Sequence, residues 1–392
     1  MLRAVSPPHA VPARRGRSTR WTWLVVAWQI VVVVVLALAL QRQWWSTVSA
    51  ALVVLVAVLL SIPVNGRTLL GLLGTRRRFA ARARLRLRPT DVPAELAPLA
   101  RWLPELQVTE IKDAHDDVIG VVADGRCWSG VLEVVSDTTP FTDRGARLDL
   151  NVLGSLTRQD DIVFSGIQVA TFTVPGPCAA MLPPDSPALA AYREIAGAAA
   201  PPSIRRTWIV LRLDPRLCLE AVDRRGSGQA GIFATLRFGL HRAQATLKRH
   251  GMATTPLDPR GIADVLALTS GASDQPEADP GREEWEHLVC DSLIHRTRPI
   301  TGFDAAPSAR YQALLDAVAQ CPAMFAVTSF TVAPGEPSRG AVRLVTANTE
   351  QAVAADEFLI RAVASDLRLG PLGGLQVPGL LATVALGRQV DR

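Results

Sequence analysis

The stretch RRGSGQAGIFATL places Gly226, Gly228 and Gly231 in G-x-G-x-x-G spacing just ahead of a helical pattern. Such spacing can cradle a dinucleotide, because glycines turn tightly and let backbone amides approach a pyrophosphate. That chemistry also needs a strand leading straight into the glycines, and an acid about 20 residues further on for the ribose. Here Asp223, Arg224 and Arg225 precede the glycines, and no Asp or Glu falls between Gly231 and Asp258. The stretch reads first as a loop feeding a helix start. Arg224, Arg225, Gly226, Gly228 and Gly231 stay as a candidate anion site at that helix's N-terminus.

Two further clusters carry ligand-type side chains. In HLVCDSLIH, His287, Cys290 and His295 lie close to Glu283 and Glu284, but the spacing is not that of a zinc site and no second Cys/His pair is near. His115, Asp116, Asp117, Asp124 and Cys127 crowd a second stretch. There Asp124-Gly125 between two β-rich runs is a hairpin signal, so the cluster reads as a turn. The five cysteines are scattered and contain no C-x-x-C, and neither Lys112 nor Lys248 follows a glycine as a P-loop requires. G-x-S-x-G and H-E-x-x-H are absent from the sequence. No catalytic residue, cofactor or metal is therefore assigned. The alternative reading, a membrane-anchored enzyme binding a nucleotide or nucleotide-sugar, would use the loop 224–231.

From Asp91 onward the pattern is mixed α/β. Strand-like runs occur at Val118–Ala123, Cys127–Val135, Ile162–Val174, Thr207–Leu213, Met324–Val332, Ala341–Thr346 and Leu380–Leu386. Helical periodicity covers Ala230–Gly251, Arg260–Leu268, Ala309–Gln320 and Gln351–Arg368. A Pro-rich stretch near 175–203 is a candidate division of this 91–392 body into two lobes. No repeat of fixed period is evident.

What precedes the body differs in kind. Residues 1–90 hold 14 arginines and no acid, which against an overall charge of +6 leaves the remainder at −8. The positive charge flanks two uncharged apolar runs, Trp21–Leu40 and Trp44–Val64, each about long enough for a membrane at 1.5 Å per residue. The expected fold is therefore a two-span N-terminal transmembrane helical hairpin followed by a mixed α/β cytoplasmic domain. Its parts are a basic N-terminus (1–20), the hairpin (21–64, spans 21–40 and 44–64), an arginine-rich juxtamembrane segment (65–90) and the body. By the positive-inside rule both termini are cytoplasmic and the protein sits in the inner membrane. Trp21, Trp23, Trp44 and Trp45 are placed as interface anchors. Arg76, Arg77, Arg78, Arg82, Arg84, Arg86 and Arg88 are placed as contacts to anionic lipid or a partner. Charge confined to these flanks argues against nucleic acid.

The paired apolar runs with their arginine-rich exit, IGVVADGRCWSGVLEV, RRTWIVLRLDP, DRRGSGQAGIFATLRFGLHRAQATLKRHGMATTPLDP and the ending LGPLGGLQVPGLLATVALGR together resemble the EccE family of actinobacterial type VII secretion systems. The family's ending often carries acids around the glycine, where this chain has Gly373, Gly374 and Leu375. The resemblance marks no catalytic residues. It implies a non-enzymatic structural subunit at the periphery of an inner-membrane secretion complex with EccB, the EccC ATPase, EccD and the mycosin protease.

Overall fold

The computed structural model describes residues 19–390 except 42, 62, 65–66, 85–92, 94–95, 113–116, 136–147, 177–184, 197–202, 273–280 and 364. The chain divides into two compact units, residues 1–74 and 75–392.

In the first unit both apolar runs are helical, α1 (Thr19–Leu40) and α2 (Trp44–Ser61). The second run does not continue as one helix to Val64. It closes at Ser61, ahead of Pro63, which lacks the amide a helix interior needs, and Pro63–Val64 pair instead with Arg67–Thr68. Among the described residues no helix is long and apolar enough to cross a membrane. The expectation of a transmembrane hairpin with spans 21–40 and 44–64, and with it the two-span inner-membrane placement with cytoplasmic termini, is thereby corrected.

The second unit is organised by one antiparallel sheet. Its strands are β1 (Leu106–Lys112), β2 (Val118–Asp124), β3 (Trp128–Val134), β4 (Gly166–Val174), β5 (Ile204–Leu213), β6 (Arg282–Glu283), β7 (Leu288–Cys290), β8 (Leu293–Thr301), β9 (Phe325–Val332) and β10 (Arg339–Thr346). Their spatial order is β6-β7-β8-β10-β9-β4-β5-β3-β2-β1. That order reads as a duplication. Three strands in hairpin succession are followed by a helix, a second hairpin and another helix, and the pattern then occurs again. The first copy uses the helix 151–156, then α4 (Leu219–Arg224) and α5 (Gly228–Arg249); the second uses α7 (Pro307–Val318) and α8 (Thr349–Ala362). After each copy a short strip returns to the corresponding strand, Thr254–Pro256 to β3 and Arg368–Leu369 to β8. A further helix closes each copy, α6 (Pro259–Ser270) and α9 (Gln376–Thr383). The two copies meet at β4 and β9, with Ala326 opposite Thr173 and Val332 opposite Ile167. The sequence shows no fixed period because equivalent links differ greatly in length: β4 and β5 are joined through 175–203, whereas β9 and β10 are joined through 333–338. Since β4 and β5 pair along their whole length, the stretch 175–203 connects neighbouring strands of one sheet.

Both faces of the sheet are covered, so strands such as β4 are buried at nearly every position rather than alternating. On one face Leu132, Val169, Ile209, Leu211, Val342 and Leu344 pack under α5, α7 and α8, where Leu236, Leu240, Tyr311, Leu315 and Leu359 are buried. Each fully buried leucine there contributes about 1.5–3 kcal/mol. The other face, with Val122, Val131, Phe172, Trp208, Val210 and Val327, lies under α6 and α9. α9 corrects the strand expected at Leu380–Leu386. The residues from Gln376 to Thr383 are buried almost without exception, and a short helix buried all round has the same continuous apolar pattern as a strand. The helix expected over Gln351–Arg368 ends earlier, at Ala362, where Val363 turns extended.

Candidate functional site

The glycine loop connects α4 to α5. Gly226 and Gly228 adopt positive φ (123° and 53°), which suits glycine in a tight turn. Gly231 serves packing: a Cβ there would sit 2.4 Å from the Val222 carbonyl oxygen, so only glycine lets α5 lie this close to α4. Both arginines of the candidate anion site already have an anion. Arg225 Nη1 and Nη2 donate to Asp161 at 2.7 and 2.9 Å, and Arg224 Nη2 donates to the same carboxylate at 2.8 Å. Hydrogen bonds from Arg225 first, and then from Arg224, hold Asp161 down to about 2. Asp161 lies more than sixty residues away in sequence, so nothing local to the glycines announced it.

The His/Cys group does not converge. His287 Nε2 faces Glu284 at 3.2 Å across the turn between β6 and β7, while His295 is fully buried on β8 with its Nδ1 2.8 Å from Arg343 Nη1. Burial, and then the Arg343 charge, hold His295 well below its usual value, so it is neutral and Nδ1 accepts from the guanidinium. Among the described residues no three His, Cys, Asp or Glu side chains come together as a metal site. His115 and Asp116 lie outside the described residues. Asp124 takes the expected turn position, with its Oδ1 accepting from the Cys127 amide at 3.2 Å, and it does more. Arg212 and Arg388 donate to its Oδ2 at 2.6 and 2.8 Å. Burial pushes this carboxyl up, but the two arginines outweigh it and hold it below its usual value.

These pairs reveal what the buried polar groups do: they tie the two copies of the fold together. α6 starts beside β2, where the Gly120 amide donates to the Leu257 carbonyl, and ends on β10 of the other copy. There Arg343, wholly buried and lowered to about 9 by desolvation, donates to the carbonyls of Thr269 and Ser270 at the α6 C-terminus and to Thr383 Oγ1. A cation at that helix end suits the dipole. The reverse crossing is made by α9 and the residues after it. Gln168 on β4 donates to the Ala382 carbonyl at 2.6 Å and accepts from the Gly387 amide at 2.8 Å. Ser129 and Arg212 donate to the Leu386 carbonyl.

The ending GPLGGLQVPG also builds a socket. Gln376 Oε1 accepts from the Thr297 amide, and the Gly374 amide donates to the Trp285 carbonyl at 2.6 Å. Cβ atoms at Gly373 or Gly374 would strike the Trp285 ring at 2.5–2.6 Å, so glycines are required against this indole. The residues from Thr75 on of α3 (Leu69–Ala83) fit the socket. Arg82 is bidentate to Glu283 at 2.7 and 2.9 Å and also donates to the Gly374 carbonyl. Glu283 is only 2% exposed and accepts from the Val377 amide as well. Phe79 meets the Trp285 ring edge-on, with Arg76 5.8 Å above it.

Among the other arginines expected to face lipid or a partner, Arg77, Arg78 and Arg84 are exposed, whereas Arg86 and Arg88 lie outside the described residues. Trp44 and Trp45 open α2, exposed and with ring centroids 3.7 Å apart; Trp21 and Trp23 fall on α1. The arginine, carboxylate and glutamine groups described above hold elements of the fold together.

Residues 201–298 match the family model described as "Putative type VII ESX secretion system translocon, EccE". That segment runs from β5 through α4, α5 and α6 to β8. The chain is also 26% identical over 328 residues to the ESX-1 secretion system protein EccE1 of two strains of Mycobacterium tuberculosis, CDC 1551 / Oshkosh and H37Rv. The similarity covers 80% of this chain and 61% of each relative, so the chain spans about three-fifths of the curated relatives it matches.

Proposed function

We propose that this chain, a member of the EccE family, is a non-enzymatic structural subunit at the periphery of a type VII secretion complex. Its partners in this reading are EccB, the EccC ATPase, EccD and the mycosin protease. The observation that carries the reading is the family match over 201–298, a segment that supplies β5 beside the seam of the two copies, the first crossing helix and the strands β6 to β8 at one edge of the sheet. The fate of the polar residues supports it: the arginines of the glycine loop are taken by Asp161, and Arg343 is used to close α6. A nucleotide at 224–231 would have to displace Asp161 from both arginines, which weighs against the enzymatic alternative.

The test is purification of the tagged full-length protein from its own cells in mild detergent, with partners identified by mass spectrometry and the particle sized. Recovery in a large assembly containing an FtsK-like ATPase supports the proposal. A protein recovered alone, with the ATPase assembled elsewhere in the same extract, overturns it.

A further inference from the structure

The duplication leaves two exposed helix faces on the same side of the sheet, and they differ in charge. α5 contains no acid and ends in Lys248-Arg249. Its outward stripe is Phe238, His241, Ala245 and Lys248, of which Phe238 is 44% exposed. The corresponding helix of the second copy, α8, has no base before Arg361 in its last turn. Its outward stripe is Glu350, Val353, Glu357 and Ile360, with Val353 40% and Ile360 49% exposed. Both stripes step by three, four and three residues, the spacing that keeps side chains on one helix face.

Laid antiparallel, the stripes match position by position. Lys248 meets Glu350, small Ala245 meets Val353, His241 meets Glu357, and Phe238 meets Ile360. Antiparallel helices also oppose their dipoles favourably, and Lys248 at the C-terminal end of α5 falls beside Glu350 in the first turn of α8. Within one chain the two helices sit over different parts of the sheet, α5 against β3 and β5 and α8 against β10 and β8, so neither stripe covers the other. A two-fold axis through this side of the sheet brings α5 of each molecule onto α8 of the other and forms both contacts together, the closed arrangement typical of two-fold dimers.

We infer that the α5 and α8 faces are an interface with a second copy of this chain, paired through two identical antiparallel α5–α8 contacts. Placing like charges together costs affinity at each contact, which gives a charge-exchange test on the full-length protein by sedimentation. Wild type is expected as a pair. The variants Glu350→Lys/Glu357→Lys and Lys248→Glu/Arg249→Glu, checked for unchanged circular dichroism, each lose at least about tenfold in association. Mixing the two variants restores the pair, because positions 248 and 350 again carry opposite charges in both contacts. Independently, Ala245→Cys/Val353→Cys should form a disulfide-linked pair on oxidation, whereas Ala245→Cys alone should not. A monomeric wild type, association indifferent to the reversals, or a mixture that stays dissociated each overturns the inference.

Discussion

Removing Arg82 tests whether residues 75–83 are built into the second unit. Its guanidinium makes three bonds: two to a Glu283 carboxylate that is 2% exposed and one to the Gly374 carbonyl. In Arg82→Ala, Glu283 Oε1 keeps the Val377 amide at 3.0 Å, while Oε2 loses the partner 2.7 Å away. Breaking a buried ion pair by deleting one member costs about 3–5 kcal/mol. Arg82 itself is 17% exposed, so water can follow into the vacated space, and the retained amide bond lowers the cost further. The expected loss is about 2–3 kcal/mol. Glu283→Gln removes the charge but keeps an acceptor for Val377, so in that background Arg82→Ala should cost about 1 kcal/mol or less. A double-mutant cycle by urea denaturation of the full-length protein, followed by circular dichroism, then yields a coupling of at least about 1–2 kcal/mol. A coupling below about 0.5 kcal/mol, the level of exposed ion pairs, would refute the socket and return Arg82 to the surface.

Gly231→Ala forces a Cβ against the Val222 carbonyl and should destabilise by about 1–3 kcal/mol, read as a shift in denaturation midpoint; no shift would contradict close α4–α5 packing. Because His295 is neutral when folded, with its value depressed below 6.5, only the unfolded chain takes up a proton as pH falls from 6.5. Its contribution is present above 6.5 and is lost below it, by up to about 1.4 kcal/mol per pH unit. His295→Gln should flatten that part of the stability profile between pH 6.5 and 5, and an unchanged slope counts against a buried neutral imidazole. Asp161, held at about 2, contributes stability above its unfolded value near 4 that is lost as pH falls toward 2. Asp161→Asn should therefore weaken the pH dependence between 4 and 2, measured by the same denaturation series.

The elements with strong local periodicity were legible: the β2–β3 hairpin around Asp124-Gly125 and the helices α5 and α6 stand within about two residues of where the pattern put them. The buried helix α9 was not, because periodicity vanishes when every face is covered. The duplication was hidden by unequal links, and the crossing of α6 and α9 leaves no sequence trace at all. The glycine loop illustrates the limit most plainly. Its spacing suggested phosphate chemistry, and the partner that occupies its arginines, Asp161, is brought in only by the tertiary fold. Gln376 and Gly374 carried the family resemblance as bare signature residues; their reason is contact with Thr297 and Trp285.

The proposed assembly role, with the glycine loop as framework, is tested most directly by protein export. Export should be measured in cells lacking the chain and complemented with wild type or with Arg224→Gln/Arg225→Gln, at matched protein levels. Since Asp161 is partly exposed and can be hydrated once its arginines are gone, export should equal that of wild type. Export abolished with the protein still present and assembled would mean that these arginines act on a ligand, and the claim would fall.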